Sequence, residues 1–120
     1  MVRNWEIIRE ILLKLEKMSP DKTLRLGDFP EEKAYDYSYH VELLFEAGLI
    51  YGEMLKELGT QASDFLALRL TWAGHEFLDS IRSDTVWDKT KSRFVKEGIS
   101  MTFDLIKSVA IGIAASLLKQ

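Results

Sequence analysis

Cysteine is absent from the 120-residue chain, which excludes a disulfide framework, a zinc–thiolate site and a thiol nucleophile and fits a reducing compartment. Proline is scarce, with Pro20 and Pro30 alone, and nearly half the residues are apolar, so the composition is that of a folded chain rather than a disordered one. The first seventeen residues carry no unbroken apolar run, because Arg3, Glu6, Arg9, Glu10, Lys14 and Glu16 are scattered among the apolar positions. That pattern is unlike a signal peptide, and the expected location is cytoplasmic.

Catalytic equipment is equally sparse. There is no glycine-rich phosphate loop, and the two histidines, His40 and His75, have no serine, cysteine or paired-carboxylate arrangement beside them to complete a catalytic set. His75-Glu76 invites comparison with the zinc motif His-Glu-x-x-His, but the second metal position is Asp79. The expectation is a non-enzymatic protein with no cofactor, no metal and no small-molecule substrate.

What is present is helical periodicity. Trp5, Ile8, Ile11, Leu12, Leu15 and Met18 recur at three- and four-residue steps, which predicts a helix with one buried face, capped by Asn4 and stopped at Ser19-Pro20. A short extended piece is expected at Thr23 to Leu26. Gly27-Asp28-Phe29-Pro30 predicts a turn into a short helix, Glu31 to Tyr35, and a longer one follows from Asp36, as its cap, to Ala47, closed by Gly48. Tyr37, Val41, Leu44 and Ala47 share a face of that helix.

Leu49 to Leu55 and Phe65 to Leu70 read as two strands of a hairpin; in the second, Leu66, Leu68 and Leu70 alternate with Ala67 and Arg69, the period of a half-buried strand. The connection, which includes Gly59, Thr60 and Ser63, is longer than a tight turn needs, and its tip is expected to be mobile. Thr71 is the expected cap of a helix running to about Arg82, and Ser83-Asp84-Thr85 offers a fresh capping site for a helix to Glu97. Gly98 then precedes a last apolar helix, Ile99 to Leu118. The fold class is mainly α with a small antiparallel β-hairpin, divided at residues 1–83 and 84–120 into a first domain and a C-terminal helical extension.

The order of helix, strand, two helices and two strands is that of the winged helix-turn-helix. The stretch from Tyr39 to Ile50, with Leu70-Thr71-Trp72-Ala73-Gly74-His75-Glu76-Phe77-Leu78, resembles the helix-to-wing and wing-to-helix junctions of winged-helix proteins. The run from Asp79 to Lys91 together with Asn4 to Leu12 is similar to an uncharacterised bacterial and phage family, a domain of unknown function with a winged-helix fold. The resemblance spans nearly the whole chain and implies that fold and a bacterial or prophage origin; it brings no functional residues with it.

Charge bears on the partner. From Asp28 to Asp64 nine acidic residues stand against Lys33 and Lys56, a net charge of −7, and such a surface repels a phosphate backbone. Tyr37, Tyr39 and His40 form a candidate contact cluster, able to stack on a base or a substrate, or else to pack at the helix–wing junction. Lys89, Arg93 and Lys96 follow helical spacing as a basic stripe, either solvated, nucleic-acid binding or paired with the acidic half of another subunit.

Between Ser108 and Leu118 there is no charge, and Ser108, Gly112 and Ser116 repeat every four residues. This spacing lets helices approach closely, here against the first helix or against a homodimer partner. The uncharged run is too short for a membrane span. The expected function is a regulatory or protein-interaction module, with a DNA-binding dimer as the alternative.

Overall fold

The computed structural model describes residues 1–59 and 61–119. Thr60, in the expected hairpin loop, and the terminal Gln120 lie outside the described residues. The protein is mainly helical, with one two-stranded antiparallel hairpin: α1 (Trp5–Lys17), α2 (Ala34–Glu46), β1 (Ile50–Leu55), β2 (Asp64–Leu70), α3 (Trp72–Ile81), α4 (Asp84–Glu97) and α5 (Phe103–Leu118). It divides into two compact units, Met1–His75 and Glu76–Gln120, with the division falling within α3.

In the first unit, α1 forms where the periodicity predicts it. Asn4 caps it through Oδ1, which accepts from the N–H groups of Glu6 and Ile7, and Ile8, Ile11, Leu12 and Leu15 are buried. The segment before α2 departs from expectation. Leu26–Asp28 and Glu31–Lys33 are single 3₁₀ turns, and α2 begins at Ala34 without a side-chain cap. Asp36 therefore lies in the first turn of α2 rather than capping it, since Pro30 starts the second 3₁₀ turn and the chain runs from there directly into the helix. Tyr37, Val41 and Leu44 are buried as the shared face requires, whereas Ala47 is exposed, because the helix ends at Glu46 and the chain turns through Gly48 at φ +72°.

The hairpin contains a bulge. Tyr51 pairs with Arg69 and Gly52 with Ala67, leaving Leu68 unmatched on β2. An extra residue shifts the side-chain alternation by one. Phe65, Ala67 and Leu70 are consequently the buried residues of β2, while Leu66 is partly and Leu68 largely exposed, so burial does not follow the strict leucine alternation. Gly52 permits the bulge: its φ is +144°, and a Cβ there would collide with the Leu66 carbonyl. Beyond β2, Leu24 forms an antiparallel bridge to Ala67, with N–H···O bonds of 2.9 and 3.0 Å in the two directions, so the predicted extended piece is reduced to one paired residue.

Thr71 caps α3 as expected, accepting from Gly74 N–H at 3.0 Å while its hydroxyl donates to the Gly48 carbonyl at 2.6 Å. In the second unit Ser83 caps α4 through Val86 N–H, Gly98 ends it at φ +66°, and Phe77 stacks on Phe103 with ring centroids 4.7 Å apart. The last helix starts at Phe103 instead of Ile99, because Thr102 is its cap, accepting from Leu105 N–H. Trp87, Phe94, Ile106 and Ala110 are buried. Among the described residues no helix is long and apolar enough to cross a membrane.

Candidate interaction surfaces

The tyrosine–histidine cluster is largely interior. Tyr37 is stacked on Phe29, ring centroids 4.2 Å apart, and its hydroxyl donates to the Glu10 carboxylate at 2.8 Å. Burial, and then the hydrogen bond to Glu10, pushes the phenol up to about 12. His40 is buried with both ring nitrogens engaged, and Tyr39, half-buried, meets it edge-on at 5.3 Å. Ser38 is buried too, donating to the Ser63 carbonyl at 2.7 Å. Tyr37 and His40 therefore do not present a contact surface. The signal that finds them inside is their spacing with Val41 and Leu44, which puts all four on one helical face.

The acidic stretch is neutralised in part. Asp64 binds the Arg25 guanidinium and accepts from the N–H groups of Leu26 and Phe65; the guanidinium foremost holds its carboxyl down at about 2. Glu42 pairs with Lys56. Glu31, Glu32 and Asp36 are exposed, with no ion pair to them among the described residues, and beside them Tyr35 is 58% exposed. A mixed polar and apolar groove of about 830 Å³ lies between the 3₁₀ turns and the hairpin loop, lined by residues such as Leu26, Phe29, Leu55, Glu57 and Asp64.

His75 lies 3.8 Å from Glu16, and Asp79 pairs with Arg82 at 2.6 Å. Among the described residues no group of three or more His, Asp or Glu side chains is placed to hold a metal.

In the second unit the basic stripe is real geometry. Lys89, Arg93 and Lys96 are exposed on α4, with no ion pair to them among the described residues. With Asp88 and Ser92 of the same helix and Ile113 of α5 they line a shallow groove of about 470 Å³. Ser108, Gly112 and Ser116 are all exposed, and a Cβ at Gly112 would meet open space. The small residues therefore do not seat α5 against its own unit; Ile106 and Ala110 do that from the opposite side. Leu105, Ile111 and Leu118 are exposed at 44%, 53% and 86%.

These features define a mainly helical protein with an antiparallel hairpin and two exposed surfaces of different chemistry on its second unit. Residues 2–100 match the family described as Hypothetical protein (DUF2513), and the chain belongs to that family. It is also similar to a protein of Haemophilus influenzae named "Uncharacterized protein", 41% identical over 119 residues that cover 98% of this chain and 99% of the relative. No solved structure matches.

Proposed function

We propose that this is a non-enzymatic, cytoplasmic protein-interaction module of winged-helix type, of bacterial or prophage origin, that associates with protein and dimerises through α5. The observation that carries the reading is the outward face of α5, where Leu105, Ile111 and Leu118 are exposed together with the small residues Ser108, Gly112 and Ser116. An apolar helix face of this kind is stabilised by removal from water against another protein surface.

The winged-helix type is supported by the order of α1, the Leu24 bridge, α2 and the hairpin, with the two 3₁₀ turns standing where the fold has its second helix. The exposed acidic residues of α2 and the turn before it oppose a phosphate backbone at the position where winged-helix proteins read DNA. A second reading, a DNA-binding dimer, is favoured by the exposed Lys89, Arg93 and Lys96, which have no ion pair among the described residues. Fluorescence anisotropy of random-sequence duplex DNA at low and physiological salt separates the two. The protein reading expects no binding; tight binding that weakens steeply with salt and is lost on mutating the stripe supports DNA.

A further inference from the structure

We infer that the groove between α4 and α5 receives the Glu31–Asp36 segment of a second copy of this chain. The inference rests on the protein-interaction reading above and names the partner surface.

The groove joins two kinds of surface. Lys89, Arg93 and Lys96 outweigh the one carboxylate in its lining, Asp88, which lies 3.6 Å from Lys91; Ser92 adds a hydroxyl, and Ile113 supplies an apolar wall that a nucleic-acid backbone has nothing to cover. An occupant that satisfies both carries carboxylates around an apolar or aromatic tip. The chain's own first unit holds such a segment: Tyr35 stands out from the fold, Glu31 and Glu32 precede it by about one turn, and Asp36 follows, so that its carboxylates outweigh the one cation within it, the exposed Lys33. Three cations and three carboxylates with no ion pair to them among the described residues thus lie on the same polypeptide, each set beside an exposed or half-exposed apolar group. A tyrosine entering a cation-rimmed groove has the aromatic anchor and charged rim usual at protein interfaces.

Sedimentation velocity of the full chain over a concentration series, at low ionic strength and at about 0.5 M salt, tests this with two triple variants. One carries Lys89→Glu, Arg93→Glu and Lys96→Glu; the other carries Glu31→Lys, Glu32→Lys and Asp36→Lys. Every position is exposed, and circular dichroism verifies that each variant folds. Each variant alone should associate at least about tenfold more weakly than the parent. Their equimolar mixture should regain association, because the reversed groove of one then faces the reversed segment of the other. Tyr35→Ala should weaken association at both salt concentrations.

Unchanged association in both triple variants, or no recovery on mixing, overturns the inference. So does a stripe variant that loses duplex DNA binding while its mass distribution stays that of the parent. Association lost in Gly112→Leu but intact in the triple variants overturns the inference and keeps the α5 reading. The reverse pattern keeps the inference and removes α5, and a parent that stays monomeric throughout overturns both.

Discussion

The backbone N–H of Asn4 donates to Nε2 of His40 at 2.7 Å, while Nδ1 of the same ring lies 2.7 Å from the Asp36 carbonyl. A carbonyl only accepts, so Nδ1 carries the proton and Nε2 is the acceptor, which fixes the neutral Nδ1–H tautomer. Asn4 is at the same time the cap of α1. His40 therefore ties the cap of α1 to the first turn of α2, with 36 positions of sequence between Asn4 and the ring.

His40→Leu removes both hydrogen bonds and leaves the Asn4 N–H without its acceptor. The expected loss is about 1–3 kcal/mol of folding stability, measured by urea denaturation with an unchanged slope. A loss within experimental error would show that water replaces the ring at no cost.

Leu12 has no exposed surface and lies in the buried stripe of α1. Leu12→Ala is expected to cost about 2–5 kcal/mol in the same assay, the range for a cavity left in a packed core.

Gly52→Ala tests the bulge. The new methyl meets the Leu66 carbonyl and the backbone is at a φ that side chains rarely adopt, so a loss of about 1–3 kcal/mol is expected. Gly112→Ala is the control, since nothing stands within 4 Å of the added carbon, and there a small gain in helix stability is expected.

Asp64 sets part of the acid limb of stability. Its carboxyl is held at about 2, against 3.8 for the free group, chiefly by the Arg25 guanidinium. A carboxyl lowered in the folded state contributes stability above its unfolded pKa, and that contribution is lost as the pH falls through the folded value. Asp64→Asn is expected to flatten the decline of stability between about pH 4 and pH 2 and to lower stability at neutral pH. Melting curves recorded across that range check it; parallel curves for the two proteins would contradict it.

Local signals were legible wherever a cap or a period acts within one element. Asn4, Thr71, Ser83 and Gly98 mark helix ends as their chemistry requires, and the spacing of α1 names its buried face. What the sequence hides is decided between elements. The burial of β2 depends on an extra residue opposite Gly52, which strict alternation cannot reveal. His40 beside Tyr37 and Tyr39 resembles a contact cluster until its helical face is compared with that of Val41 and Leu44, and the acceptor it provides for Asn4 is visible only once α1 and α2 have packed. On α5 the small-residue repeat is plain in sequence, but its outward direction is set by Ile106 and Ala110 on the other side.

The most direct measurement is the mass of the protein by sedimentation across a concentration series, for the parent and for Gly112→Leu. Open space at Gly112 means that leucine fits the isolated chain, and a helix gains stability when glycine is replaced. The account predicts a concentration-dependent dimer for the parent and a monomer for the variant, with a melting temperature of the variant monomer no lower than that of the parent monomer. A parent that remains monomeric at every concentration, or a variant that dimerises equally well, would contradict it.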